Sequence, residues 1–288
     1  MAHWPNGATA AAAITFDMDA DCLIHIAKDD GWRRQYPVSM GRYGPTVAIP
    51  RILETYRRLG LRQSFFIPGW CIETYPQAVE SILRDGHEIG CHGWIHENPL
   101  DRSPAEQSED IDRCLDTFDR IIGHRPKGYR APVYQVTNDT PRLLAEKGFV
   151  YDSSMMADDE PYILDCEGGG TLVEVPPHWG VDDWPPFAHY EEIGYMMPVR
   201  GASEGLAPFF EEFDIARELG GLWHAVWHPF LTGRRARWYV VEKWLETVLE
   251  RGDVWFATLD EIARHTLARH EEGRVRVEKL PYYTQRQE

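Results

Sequence analysis

The stretch ITFDMDAD, residues 14–21, joins an apolar run to three closely spaced acidic residues. The run Ala12–Phe16 predicts a buried β-strand, which places the acidic residues at its carboxyl end. Side chains alternate along an extended chain, so Asp17, Asp19 and Asp21 are expected on one face if the strand continues. Adjacent carboxylates repel one another and are costly to bury, so this pattern favours a nearby cation. A solvated acidic loop is the alternative interpretation.

Beyond this strand, short β-rich runs alternate with helical patterns along the whole chain. The predicted strands are Gln63–Ile67, Glu88–Cys91, Gly128–Arg130, Phe149–Tyr151, Leu172–Val175, Leu222–Trp227 and Val254–Phe256. The predicted helices include Tyr75–Arg84, Ser103–Ile122, Asp139–Lys147, Gly205–Leu219, Ala236–Glu250 and Leu259–His270. This alternation predicts an α/β protein with a parallel sheet. No Ser/Gly linker interrupts it, so we expect a single domain over residues 1–288, built as one closed or nearly closed (β/α) barrel. An open doubly wound sheet is the second choice.

Composition excludes several classes of function. The 288 residues carry 30 Lys and Arg against 46 Asp and Glu, for a net charge of −16, which disfavours nucleic acid and anionic membranes as partners. No apolar stretch approaches the length of a membrane span. The five cysteines are scattered, and the apolar run 8–16 lacks a basic segment before it. We therefore expect a cytoplasmic protein.

Two histidine pairs have an i, i+4 spacing. His92 and His96 would share one face of a helix, and His224 and His228 would share one side of a predicted strand. A carboxylate and two imidazoles make three protein ligands and leave a position open, as in catalytic zinc sites. Histidines hydrogen-bonded within the core are the alternative for either pair.

Five short motifs in order resemble the polysaccharide deacetylase (NodB-homology) family. They are FDMD (16–19), HGWIH (92–96), RAPVY (130–134), YDSS (151–154) and WHP (227–229). The resemblance covers about residues 14–260. It implies a distorted (β/α) barrel, in agreement with the alternation of strands and helices.

One departure indicates a branch of this family. The usual motif has two adjacent aspartates, whereas Met18 separates Asp17 from Asp19 here. This spacing and the segments PPHW (176–179) and DDWP (182–185) are similar to the cytosolic branch, which contains cyclic-imide hydrolases, allantoinase-like enzymes and leaderless peptidoglycan deacetylases. The resemblance implies a divalent metal, zinc first of all, although a metal-free variant exists among allantoinase-like members. It also implies a homo-oligomer, often a tetramer.

The resemblance implies roles for individual residues. Asp19, His92 and His96 would hold the metal, and Asp17 would be the general base, paired with Arg130. Zn²⁺ lowers the pKa of bound water to about 7, so a nearby carboxylate can take its proton.

The same resemblance implies how the leaving group departs. His228 would be the general acid that protonates the leaving nitrogen, with Asp152 fixing its tautomer. The metal and the backbone N–H of Tyr134 would hold the oxyanion. The roles of Asp21 and His224 stay open.

Further residues beside these motifs are candidates for substrate contact. The aromatic candidates and a neighbouring histidine are Trp94, His178, Trp179 and Trp184. Aromatic walls suit a sugar face or a flat imide ring, but core packing explains such residues equally well. The acidic segments 158–162 and 182–183 are expected as surface loops at the mouth of the site.

Together these observations predict a metal-dependent hydrolase of non-peptide carbon–nitrogen bonds. A small cyclic imide or amide is the first choice of substrate, because a cytosolic enzyme does not meet assembled extracellular polymer. An N-deacetylase of peptidoglycan- or chitin-type sugars is the alternative. A non-catalytic carbohydrate-binding protein on the same barrel is the alternative from another class.

Overall fold

One mixed sheet organises the computed structural model, which describes residues 4–166, 168 and 170–282. Its strands in the described ranges are β1 Ala10–Asp17, β2 Ser64–Ile67, β3 Glu88–Cys91, β4 Gly128–Tyr129, β5 Tyr151–Asp152, β6 Tyr162–Cys166, β7 Gly170–Glu174, β8 Leu222–Trp227, β9 Val254–Phe256 and β10 Val277–Leu280. They follow the order β10-β6-β7-β5-β4-β3-β2-β1-β8, and β9 also pairs with β1. The β6–β7 pair is antiparallel, and the other strand pairs in this sheet are parallel.

The sheet curls until the segment after β7 meets β8. Asp182 forms a parallel bridge with Val226, and the N–H of Asp183 donates to the Val226 carbonyl at 3.0 Å. His224 in β8 also lies with Nδ1 3.2 Å from the carbonyl oxygen of Pro176. These contacts close the sheet into the distorted (β/α) barrel that the sequence predicts.

Helices cover the outside of the sheet. They are α1 Cys22–Ala27, α2 Gln35–Tyr43, α3 Ile49–Leu59, α4 Gly69–Thr74, α5 Pro76–Arg84, α6 Pro104–Thr117, α7 Thr140–Glu146, α8 Trp184–Phe187, α9 Ala202–Leu219, α10 Arg235–Arg251 and α11 Leu259–Glu271. Ser103 and Glu106 form the capping box predicted for α6, each side chain accepting from the backbone N–H of the other. None of the helices in the described ranges is long and apolar enough to cross a membrane.

The parallel strands place chemical groups at one edge of the barrel. Asp17 is the last residue of β1, while His92, Arg130 and His228 directly follow β3, β4 and β8. Carboxyl ends of parallel strands meet on one face, which is where barrels of this type carry their active sites. The fold therefore gathers groups that are more than 200 residues apart in the sequence.

Candidate active site

Asp19 lies among three imidazoles. Its Oδ1 is 3.4 Å from Nε2 of His92, and its Oδ2 is 3.7 Å from Nε2 of His96 and 3.5 Å from Nε2 of His228. The carboxyl is buried, and neither oxygen has a hydrogen-bond partner within the described ranges. Burial raises the pKa of Asp19 above its usual value, against the opposing charges of His92 and His228. A buried carboxyl with no donor fits a bound cation.

The donor set here fits a divalent metal. One ligand atom each of Asp19, His92 and His96 can be chosen so that all lie within 4.8 Å of one another. A carboxylate oxygen and two imidazole nitrogens are typical zinc ligands, and three protein ligands leave a position open. Nδ1 of His92 lies 2.7 Å from the Arg130 carbonyl and donates to it, which leaves Nε2 free to bind a metal. These three residues could therefore hold a catalytic divalent cation.

A tight turn, rather than a helix, brings His92 and His96 together, so the helical interpretation of their spacing was wrong. Gly93 and His96 both have left-handed backbone conformations, with φ of 70° and 65°. The carboxylate of Glu97 accepts the backbone N–H groups of Trp94 and Ile95, each at 2.7 Å. A Cβ on Gly93 would come within 2.8 Å of Oε1 of Glu97, so glycine is needed at this point of the turn.

Asp17 is paired with Arg130, as the family resemblance implies. Nη1 of Arg130 donates to Oδ1 of Asp17 at 2.6 Å, and both side chains are buried. Burial alone would raise the pKa of Asp17, but the charges of Arg130 and His92 hold it below its usual value. Oδ2 of Asp17 lies 3.8 Å from Nε2 of His92. An ionised carboxylate is thus held beside the candidate metal ligands.

Arg130 is itself fixed by a buried set of acceptors. Nη1 also donates to Oγ1 of Thr15 at 2.9 Å, while Ser153 accepts through its carbonyl at 3.1 Å and through its Oγ at 3.0 Å. Nδ1 of His224 donates to the Pro176 carbonyl, so Nε2 is the unprotonated nitrogen and accepts Nη2 of Arg130 at 2.9 Å. Burial and the Arg130 charge lower the pKa of His224 well below its usual value. His224 is therefore a neutral core histidine that orients Arg130.

His228 is oriented by Asp183. Nδ1 of His228 lies 2.7 Å from Oδ1 of Asp183, whose carboxylate also accepts Oγ1 of Thr232 at 2.5 Å and the backbone N–H groups of both His228 and Thr232. Burial alone would lower the pKa of His228, but the charges of Asp183, Asp19 and Asp182 raise it to about 10. The ligand atoms of Asp182, Asp183 and His228 also lie close enough for a metal. Those carboxylates are already satisfied by donors, so this second cluster needs no cation.

A cavity of about 470 Å³ opens beside these groups. Its polar lining consists of Asp17, Asp19, the three imidazoles, Asp182 and the two tyrosines Tyr134 and Tyr195. The rest of the lining is apolar and consists of Leu23, Ile26, Ala27, Ala131, Val133, Trp179, Trp184, Pro185 and Ile193. Within the described ranges no lysine or arginine lines this cavity. The site therefore joins a carboxylate–imidazole centre to apolar walls.

Comparison with known proteins gives the family of this chain. The sequence profile of the family described as polysaccharide deacetylase matches residues 21–151. A peptidoglycan deacetylase of Helicobacter pylori is 27% identical over 293 aligned residues, which cover 89% of this chain and 97% of that protein. A crystal structure from Mycobacterium smegmatis, assigned as a polysaccharide deacetylase, is 33% identical with a TM-score of 0.91 and covers 100% of this chain and 97% of its own. The chain belongs to the polysaccharide deacetylase family.

A further structural relative shares the fold. The crystal structure of an allantoinase has a TM-score of 0.79 and 20% identity, over 93% of each chain. At that identity the likeness concerns the barrel alone. As a member of the polysaccharide deacetylase family, this chain is a hydrolase of carbon–nitrogen bonds other than peptide bonds.

One role implied by the family resemblance belongs to a different residue. Asp152 does not orient His228: its Oδ1 accepts from Oγ of Ser154 at 2.7 Å, at the end of β5. Asp183 makes that contact instead, and the expectation that residues 182–183 form a surface loop is also wrong because both are buried. The curl of the sheet onto β8 carries Asp183 inward.

Two predicted substrate contacts lie outside the cavity. The buried ring of Trp94 packs against the guanidinium of Arg113, 3.9 Å from the ring centroid. Nδ1 of His178 accepts the N–H of Gly180 at 3.1 Å and so anchors its own loop. Neither lines the cavity, whereas the predicted Trp179 and Trp184 do. Asp21 also turns away from the centre and accepts the hydroxyl of Tyr75.

The backbone N–H of Tyr134 is not available to an oxyanion. It donates to the Ala131 carbonyl at 2.9 Å, so the prediction for this group is wrong. Tyr134 does line the cavity, and its hydroxyl donates to Asp182. The preceding Val133 has a φ of 55°, a rare conformation for a β-branched residue. The turn is therefore held in a strained form at the cavity wall.

Proposed function

We propose that this enzyme hydrolyses a small cyclic imide or amide. The observation that supports this substrate is the cavity of about 470 Å³ beside the carboxylate–imidazole centre, because its walls are mainly apolar. The ring of Trp184 lies 5.4 Å from that of His228, and the ring of Trp179 lies 5.0 Å from that of Tyr134. Flat aromatic surfaces beside the reacting groups suit a flat, uncharged ring.

In this proposal Asp17 removes a proton from the attacking water. Arg130 keeps Asp17 ionised and holds its Oδ1, which leaves Oδ2 directed toward the metal ligands. Asp183 holds Nδ1 of His228, so Nε2 faces the cavity and can donate a proton to the departing nitrogen. A divalent cation held by Asp19, His92 and His96, zinc in this proposal, supplies Lewis-acid chemistry when bound.

An N-acetylated sugar is the second candidate substrate. It is favoured by the likeness to a protein named peptidoglycan deacetylase over nearly the full length of both chains. Sugar hydroxyls require polar partners, however, and the cavity walls away from the reacting groups supply few.

All five cysteines are free and buried, which is compatible with the proposed cytoplasmic location.

The test is a comparison of substrates on the zinc-loaded protein. Ring opening of succinimide, maleimide and hydantoin is followed by ultraviolet absorbance, and acetate release from chito-oligomers is followed in parallel. We expect ring opening that a chelator abolishes and zinc restores, and that Asp17→Asn and His228→Ala both lose. Acetate release without ring opening would support the sugar deacetylase. Sugar binding that survives both substitutions, with no turnover, would support a binding protein.

A further inference from the structure

Two carboxyl groups lie in contact behind Arg130. Asp152 ends β5 and Glu174 ends β7, and the two residues are partners across the parallel strand pair. Both side chains are completely buried, and the two carboxyl groups lie close enough to hydrogen-bond to each other. No donor reaches Oδ2 of Asp152 or Oε2 of Glu174 in the part of the chain that the structure describes. A hydrogen bond between two carboxyls requires a proton on one of them.

The surroundings of this carboxyl pair favour one negative charge rather than two. The titratable groups that interact electrostatically with it are Arg130, Tyr129, Tyr162 and Cys166. Arg130 is the cation of this set, but its hydrogen bonds go to Asp17, Thr15, Ser153 and His224. Burial raises the pKa of Asp152 to about 6, and burial together with Asp152 raises the pKa of Glu174 well above its usual value. Two adjacent buried carboxyls resist double ionisation.

We propose that Asp152 and Glu174 share a single proton at neutral pH and act together as the positioning element for Arg130, and through it for Asp17. The positioning role rests on the proposed function, whereas the shared proton does not.

The contacts from the pair to Arg130 run through residues 153–155. Oε1 of Glu174 accepts the N–H groups of Ser154 at 2.9 Å and Met155 at 3.1 Å, and Oδ1 of Asp152 accepts Oγ of Ser154 at 2.7 Å. Oγ of Ser154 in turn accepts the N–H of Ala131, next to Arg130, at 2.9 Å. Ser153, which lies between Asp152 and Ser154 in the sequence, provides two acceptors of Arg130. The pair therefore fixes the segment whose Ser153 accepts hydrogen bonds from Arg130.

The shared proton is tested by infrared difference spectroscopy at pH 7, which separates the carbonyl stretch of a protonated carboxyl from carboxylate bands. The variants are Glu174→Gln, Asp152→Asn and the double variant. If one proton is shared, each single variant loses the same protonated-carboxyl signal, and the double variant loses no more. Loss of no signal, or of two signals in the double variant, would overturn the proposal. Glu160→Gln is the control, because burial raises the pKa of Glu160 to about 7 at a place outside this network.

The positioning role is tested by kinetics on whichever amide the enzyme accepts. Glu174→Ala removes the acceptor of two backbone N–H groups, so kcat should fall roughly tenfold or more through misplacement of Arg130, with KM changed by less than about twofold. Glu174→Gln keeps both the acceptor and a donor toward Asp152, so it should recover most of kcat. A kcat for Glu174→Ala equal to wild type, or no recovery by Glu174→Gln, would overturn this role.

The two proposals fail separately. The infrared result needs no substrate, so it decides the shared proton even if Glu174→Ala does not fold. Absence of ring opening for every imide would contradict the proposed substrate while leaving the infrared result unaffected.

Discussion

Oδ1 of Asp183 lies 2.7 Å from Nδ1 of His228, although the two residues are 45 positions apart. The contact assigns the proton on Nδ1 to the hydrogen bond with Asp183, so Nε2 is the atom presented to Asp19 and the cavity. The carboxylate that sets the tautomer thus comes from the segment that closes the barrel, and not from β5.

Asp183→Asn is expected to reduce kcat by about 10² to 10⁴, the usual range for losing an effective general acid or base. The amide keeps the size of the side chain but removes the charge that stabilises protonated His228. Steady-state kinetics check this. Asp158→Asn is the control, because Asp158 was predicted for the mouth of the site but pairs with Arg276 instead. Equal kcat for wild type and Asp183→Asn would contradict the assigned role.

Much of the barrel could be predicted because its parallel strands are short apolar runs between helical patterns. The bounds of β3, β8 and β9 agree with the sequence. β6 and β10 were missed: β6 follows an acidic, proline-containing stretch, and β10 is a charged edge strand, VEKL. Asp17, His92, Arg130 and His228 could be grouped from the sequence only through the motifs that resemble the family, and the structure places all four at strand ends.

Contacts set by tertiary curvature could not be predicted in this way. Asp183 stands in an acidic pair that looks solvated in sequence, and only its position before the apolar Trp184-Pro185 hints at burial. Trp94 lies between two candidate ligands in sequence, yet the turn at Gly93 sends its ring toward Arg113. The apolar wall from Leu23 to Ile193 has no local signal, because its residues converge from different loops.

Asp19→Asn and His96→Ala are each expected to weaken zinc binding by at least about 100-fold, since each removes one of three candidate ligands. Competition with a chromophoric chelator measures the affinity without any substrate. Asp21→Asn is the matched control, because Asp21 accepts from Tyr75 and lies near His25 instead. Zinc binding lost in Asp21→Asn but kept in Asp19→Asn would reverse the assignment.

Arg130→Met should lower the free energy of unfolding by about 3–5 kcal/mol, because it leaves the carboxylate of Asp17 buried without its partner. Urea unfolding of the metal-free protein measures the loss. The double variant Asp17→Asn/Arg130→Met removes the stranded charge and should regain part of the stability. If the double variant loses as much stability as Asp17→Asn and Arg130→Met lose together when measured singly, the two residues are not coupled.

His87 should make stability depend on pH below about 6.5. It is buried with Nδ1 accepting the N–H of Gln63 at 3.0 Å, and burial lowers its pKa from 6.5 to about 4. Between these values the unfolded chain binds a proton that the folded chain does not. The contribution of neutral His87 to the free energy of unfolding is therefore fully present above pH 6.5. It is lost as the pH falls toward 4, by at most about 3 kcal/mol.

The measurement for His87 is urea unfolding at pH 5 and pH 7.5 for wild type and His87→Gln. The amide oxygen of glutamine can accept from Gln63 but does not titrate. The other histidines titrate in both proteins, so the difference between the two losses of stability isolates the effect of His87. The variant should lose less stability than wild type at the lower pH, and an identical loss in both would contradict the predicted effect.

Ile193→Asn is expected to reduce kcat/KM for an alkyl-substituted cyclic imide by roughly tenfold, because apolar contact in a pocket contributes about 1–3 kcal/mol of discrimination. Ile193 lines the apolar side of the cavity and is 41% exposed. Ile215→Asn is the matched control, since Ile215 is 47% exposed on α9 and does not line the cavity. Unsubstituted succinimide should be affected less, because it leaves that wall uncovered. A gain in deacetylation of chito-oligomers with no loss on the alkyl imide would instead favour a sugar against this wall.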